Sequence, residues 1–395
     1  MNTAFSINSR LRIFGVIFAS VVLMALFAPI YVGYRKLKTY HKTNRQILEL
    51  LQNPPSAKIV REEVEFVPVV LQNIPYGEET GVVVASRQIH IRGLPSIYNA
   101  SILDCESKYL FIFRYDVFTP ESPHRYHAQI GCAWLDQDFQ QTEEEFVTLN
   151  VGKKEAEDPR LFRCGKTIHI LFNSGDSFLR GVRKMYLGQL DPHTMKVSNV
   201  TVLDPYLSAI EKNWVPFEYI HEQNRPTVCF EYALAPRRLL TLVEDKLECI
   251  PIVSRDKFQD VLWPDAWGHP RGGTPAIHMD DHYLAFFHSS FRSPSNQQNW
   301  YVIGTYTFED KPPFSITGVS YYPILFNGIY TSTPMHIGNP SLRCIFPGGF
   351  IVEKQANKEL IHLVCGENDS TVKVVTLDNQ ALHKSLRPLN KKVNF

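Results

Sequence analysis

Most of the chain alternates between short apolar runs and tight polar turns, and five stretches share one layout. Each opens on a small or polar residue, usually near a proline. A short strand, a polar turn and a second strand rich in aromatics follow. The first runs Asn99-Ala100-Ser101-Ile102-Leu103, turns at Glu106-Ser107-Lys108, and continues as Tyr109 to Arg114. The second is Glu157-Asp158-Pro159-Arg160-Leu161-Phe162, a turn at Cys164-Gly165-Lys166, then Ile168 to Phe172. The third is Val215 to Tyr219, a turn through Gln223-Asn224-Arg225, then Thr227 to Tyr232. The fourth is Thr274 to Ile277, Asp280-Asp281-His282, then Tyr283 to His288; Arg271 to Pro275 reads as a tight turn into it. The fifth is Asn339 to Leu342, a turn at Pro347-Gly348-Gly349, then Phe350 to Val352.

Anchors at 99, 158, 215, 274 and 339 lie 59, 57, 59 and 65 residues apart. A period near sixty built from strands and turns predicts an all-β five-bladed propeller, one blade per anchor. The innermost strands of a propeller line its axis. Asn99, Asp158, Asn213 with Glu218, Thr274 and Ser341 are therefore expected to converge on one polar funnel. Within the second repeat, Pro159 fixes its own φ and pushes Asp158 towards extended backbone, on or beside a strand. Taken alone, Asp158 and Arg160 are an ordinary surface ion pair; the recurrence of the layout is what marks them out.

Ahead of the repeats, residues 1–12 form a short tail, and Ile13 to Val32 is an uncharged run long enough to cross about 30 Å of hydrocarbon as a helix. No small-x-small cleavage site follows before Arg35, which favours an uncleaved single-pass anchor in contact with membrane lipid over a signal peptide. Arg35, Lys36, Lys38, Lys42 and Arg45 on its C-terminal side place the large domain in the cytoplasm by charge bias. Sequons at Asn99, Asn199 and Asn368 fit the lumenal side instead. Residues 33–57 read as a basic helical stem stopped by Pro54-Pro55. The propeller is expected over 58–378, with strands at 82–85 and 88–91, and a basic, solvated tail over 379–395.

A net charge of +1 with 21% charged residues leaves no nucleic-acid footprint. The seven cysteines show no C-x-x-C and no zinc spacing, so buried free thiols are expected. No phosphate-cradling glycine loop or dinucleotide fingerprint occurs, and no metal or cofactor is expected.

With these residues in view, the chain resembles glycoside hydrolase family 130, the five-bladed β-mannoside phosphorylases, and the related β-1,2-mannosyltransferases. The resemblance rests on Asn99-Ala100-Ser101 with Phe111 to Arg114, Glu157-Asp158-Pro159-Arg160, Lys212 to Phe217, Thr274-Pro275 and Phe287-His288. It implies that Asp158 is the catalytic acid, acting on the leaving oxygen through a sugar hydroxyl. It implies sugar contacts for Asn99, Ser101 and Arg114, joined from the funnel by Asn213, Glu218 and Thr274. Arg160, Lys212 and His288 are implied to hold phosphate or the donor. Where the family has Y-H-G, this chain has Phe287-His288-Ser289-Ser290. Further phosphate-binding arginines are not placed among Arg163, Arg180 and Arg183.

The expected activity is inverting transfer or phosphorolysis of a mannoside, with phosphate or a nucleotide sugar as co-substrate. A hydrolase would need a second carboxylate about 6.5–9.5 Å from Asp158, for which Glu218 and Glu231 are the candidates. Trp214, Phe217, Trp263, Trp267 and Trp300 could stack on sugar faces or be core. A catalytically inactive propeller that binds a glycan or a protein is the alternative.

Overall fold

The structure is a computed structural model that describes residues 67–118, 126–175, 181–204, 208–220, 225–243, 246–250, 263–294, 297–334, 342–356 and 358–389. The expected anchor over 13–32 and stem over 33–57 lie outside the described residues, as do Arg180, the third repeat's turn at 223–224 and Ser341. Among the described residues no helix is long and apolar enough to cross a membrane.

Five antiparallel sheets make up the fold. Strand β1 (Val83–Ile89) comes first in the chain and is taken up last, by the fifth blade. Blade I holds β2 (Tyr98–Cys105), β3 (Lys108–Phe118), β4 (Tyr126–Leu135) and β5 (Val147–Thr148). Blade II holds β6 (Glu157–Cys164), β7 (Thr167–Gly175), β8 (Arg183–Asp191) and β9 (Lys196–Leu203). Blade III holds β10 (Val215–Ile220), β11 (Pro226–Leu234), β12 (Arg237–Val243) and β13 (Lys246–Ile250). Blade IV begins with an inner strand in two pieces, β14 (His269–Gly272) and β15 (Ile277–His278), both paired to β16 (His282–Arg292). Then come β17 (Asn299–Glu309) and β18 (Ile316–Ser320). Blade V runs β19 (Ile345–Gln355), β20 (Lys358–Glu367) and β21 (Thr371–Asp378), and β1 closes it by pairing with β21. The inner strands touch in a ring: β19 on β2, β2 on β6, β6 on β10, β10 on β15, and β16 on β19.

Second strands read as unbroken apolar runs because both of their faces are covered. In β3, Phe111 and Phe113 pack with Ile351, Val364 and Val372 of blade V. Leu110 and Ile112 point the other way, into Leu161, Ile170 and Phe172 of blade II. Each inter-blade core is built in this way from alternate residues of one strand.

Four expected boundaries are corrected. Pro347-Gly348-Gly349 is not a turn but a bulge inside β19, where a Cβ on Gly348 would lie 2.1 Å from the Ala100 carbonyl oxygen. Arg271 and Gly272 belong to a strand, and a Cβ on Gly272 would lie 2.1 Å from the Asn213 carbonyl oxygen. Both glycines let adjacent blades close on each other. The tail is also corrected in part, because residues 379–388 are built into the fold. Asp378 caps a helix, α1 (Asn379–Lys384), by accepting the Ala381 N–H, and β22 (Leu386–Pro388) adds to β18. One strand, Val83–Ile89, stands where two were expected at 82–85 and 88–91.

Six cysteines are free thiols, and burial raises the pKa of Cys132, Cys344 and Cys365 among them. Two of the three sequons are closed to modification in the folded domain. Asn99 is buried, and Asn368 is wholly buried with its amide on the Tyr330 and Ser332 carbonyls. Asn199 is exposed.

Candidate active site

Asn99, Asp158 and Asn213 stand at or just before the start of the inner strands of blades I, II and III, all with φ in the left-handed region (+45°, +52° and +64°). Asparagine and aspartate tolerate this conformation better than other side-chain-bearing residues. Register breaks follow at Tyr98/Ser101 and Glu157/Arg160. The same backbone device thus starts each of these blades.

Asp158 keeps 14% of its side chain exposed. Its Oδ1 accepts from Asn99 Nδ2 at 2.8 Å and lies 3.5 Å from Arg114 Nη1. Its Oδ2 takes a longer contact, 3.4 Å, from Asn173 Nδ2. Burial alone would raise the Asp158 pKa. The Arg114 guanidinium, the Asn99 hydrogen bond, Arg160 and Lys212 together outweigh it and hold the carboxyl below its ordinary value. The free protein therefore carries Asp158 as a carboxylate.

Arg114 is fixed in turn. It bridges to Glu157 at 3.2 Å, approaches Asp116 at 3.8 Å and lies over the Tyr98 ring at 4.8 Å. Burial works against its charge, but Glu157, Tyr98, Asp158 and Asp116 hold its pKa above the usual arginine value. Arg183, one of the unplaced arginines, is committed to Glu157 at 2.8 Å and to Asn173 at 2.6 Å. Arg163 reaches only the Asp104 carbonyl and Cys105.

Arg160 is wholly buried, with Nε on the Gly273 carbonyl at 2.5 Å and Nη1 on the Asp158 carbonyl at 3.1 Å. Burial lowers its pKa to about 10. It ties blade II to blade IV and sets the Asp158 backbone while adding positive potential beneath the carboxylate. His288 is 2% exposed and packs against Phe346 and Tyr301, with ring centroids at 4.8 and 5.9 Å. Burial, then Arg271 and Arg160, push its pKa down to about 3, so it is a neutral imidazole. Lys212 and Arg271 are exposed, and neither forms an ion pair or side-chain hydrogen bond with the described residues. Arg271, opposite His288 in the sheet, was missed from sequence because it was read as part of a turn.

Several expected contacts are corrected. Ser101 is wholly buried, and its Oγ accepts the Leu161 N–H at 3.0 Å; it joins blades I and II and offers no face to a sugar. Thr274 is likewise buried, with Oγ1 accepting the Phe286 N–H. Glu218 accepts the Gly165 N–H at 2.6 Å, beyond the far end of β6 and about 20 Å along the strand from Asp158. There it borders a small cavity of about 150 Å³ at the opposite mouth of the axis. Glu231 is buried against Arg237 at 2.6 Å and hydrogen-bonded by Tyr306. Neither carboxylate offered for water activation faces Asp158. The five aromatics proposed for stacking are all core, from 0% exposed at Trp214 to 8% at Trp267.

Fold and site together define a five-bladed propeller with the Asp158 carboxylate in a charged, polar funnel at one end of its axis. No family model and no curated protein matches the sequence. Solved structures do match. A mannose phosphorylase from Leishmania mexicana in complex with phosphate superposes with a TM-score of 0.53 at 14% identity, over 80% of this chain and 94% of that one. A β-1,2-mannobiose phosphorylase from Listeria innocua, bound to β-1,2-mannobiose, gives 0.51 at 14% identity, over 78% and 98%. A further structure is from glycoside hydrolase family 130, mannoside phosphorylases that include hydrolases of β-1,2 mannosidic linkages in Candida mannan. It gives 0.50 at 13% identity, over 77% and 88%. The structural neighbours are thus members of the family that the motifs resemble, and the likeness establishes the propeller fold.

Proposed function

We propose that the protein is a carbohydrate-active enzyme that makes or breaks a mannoside bond with an anionic co-substrate, either phosphate or a nucleotide sugar. The observation that carries this reading is the ionised Asp158 in the field of Lys212, with Arg271 acting on the neighbouring His288 and neither cation paired to described residues. An anion bound there would neutralise those cations and raise the Asp158 pKa towards that of a working acid. Protonation would fall on Oδ2, whose contact to Asn173 is the weaker of the two.

In the degradative direction Asp158 gives its proton to the leaving oxygen as the glycosidic bond breaks. Phosphate then bonds to the anomeric carbon from the opposite face with inversion, leaving a sugar 1-phosphate and an ionised Asp158. Synthesis is the reverse. Phosphorolysis and transfer need cations for the incoming or departing anion rather than a second carboxylate. The positions of Glu218 and Glu231 therefore favour them over hydrolysis. Attachment to a membrane through Ile13 to Val32 would suit a membrane-borne or secretory-pathway glycan.

The test incubates the full-length protein with mannose 1-phosphate or GDP-mannose and a panel of mannosides, following phosphate or nucleotide release and product chain length. Release that depends on the acceptor, and a raised requirement for the anionic substrate in Lys212→Ala and Arg271→Ala, are expected. Glycan binding without turnover of either donor would instead identify an inactive, glycan-binding propeller.

A further inference from the structure

At the seam between blade IV and α1, about 20 Å along β16 from His288, two histidines meet head to head. His282 Nε2 and His383 Nε2 are 3.0 Å apart. The other nitrogen of each ring faces oxygen: His282 Nδ1 lies 2.8 Å from the Asp281 carboxylate, and His383 Nδ1 lies 2.9 Å from the Asn379 carbonyl. Neither oxygen can donate, so each Nδ1 carries the proton and each Nε2 presents a lone pair. Two lone pairs at this distance repel unless a cation lies between them.

We propose that His282 and His383 form a two-imidazole site for a divalent transition-metal ion, zinc in the first instance. An Nδ1–H anchored on a carboxylate or a carbonyl is the arrangement that orients metal-ligating histidines. Both rings have it. Two imidazole nitrogens bound to one tetrahedral ion stand about 3.3–3.4 Å apart, so the rings need to separate by only about 0.3–0.4 Å. They border an open groove of about 710 Å³, so water can complete the coordination; among the described residues no third His, Cys, Asp or Glu side chain is placed to do so. The ion would staple α1, and through it β22, to the hairpin that starts β16. This joins chain segments 101 residues apart.

The experiment titrates the full-length protein with zinc chloride by calorimetry and compares His282→Gln, His383→Gln and Asp281→Ala with the exposed-site control His193→Gln. One saturable site is expected, weakened at least about 10-fold by either histidine change and about 10–100-fold by Asp281→Ala, with the control unchanged. Asp281 is 91% exposed at its side chain, so its variant tests the site without disturbing the core. Should a histidine variant fail to fold, Cu²⁺ spin resonance on the wild type reads the site directly, with coupling to two imidazole nitrogens expected. Zinc affinity indifferent to all three changes, or copper coupled to fewer than two nitrogens, would overturn the proposal and leave a proton shared between the rings.

Discussion

Asp158 and His288 sit in the same cationic field, and both have lowered pKa values. For His288 the folded value is about 3 against 6.5 when unfolded, so between these limits the unfolded chain binds the extra proton. Its contribution to stability is full above pH 6.5 and is lost as the pH falls towards 3. The slope is about 1.4 kcal/mol per pH unit for one group. Asp158 acts in the same direction, but only below its ordinary value of 3.8. Denaturant titrations between pH 4 and 6.5 should therefore show a slope that His288→Asn reduces by one proton. An unchanged slope would mean that His288 is already protonated in the fold.

At the scale of the element, the inner strands act as both lining and brace. Ser101 is the clearest case, because its hydroxyl accepts a blade II backbone N–H that has no water to turn to. Ser101→Ala should cost about 1–3 kcal/mol in unfolding experiments and leave sugar affinity of the folded fraction unchanged. A selective loss of sugar affinity at full stability would restore it to the binding surface. The starts of blades I to III were legible in the sequence because Asn99, Asp158 and Asn213 occupy a backbone position that favours their residue types. The inner strands of blades IV and V were misjudged in their bounds for the opposite reason. Gly272, Gly273, Gly348 and Gly349 have the composition of turns, but here they serve close approach between blades. Asp158 itself was legible from its motif. Its partner Asn173 and the nearby Arg271 were not, because one is a polar residue inside an apolar strand and the other sits in a glycine-rich stretch that reads as a turn.

For the whole molecule, closure depends on β1 pairing with β21, a contact between residues 83–89 and 372–377 that no local pattern announces. The same long-range packing decides which sequons remain usable. For a lumenal propeller, expression in a eukaryotic secretory host should add one glycan that Asn199→Gln removes, while Asn99→Gln and Asn368→Gln leave the mass of the glycoprotein unchanged. Absence of any glycan is the result expected of a cytoplasmic propeller, the side that the charge bias of residues 35–45 favours.

The proposed chemistry converges on a single proton. Asp158→Asn keeps the shape of the side chain and its place beside Asn99 and Asn173 but cannot protonate a leaving oxygen. The most direct measurement compares turnover and sugar affinity in this variant and the wild type at saturating phosphate or donor. Turnover should fall by at least about 10²–10⁴-fold, with sugar binding nearly intact. Near wild-type turnover in Asp158→Asn would contradict the account.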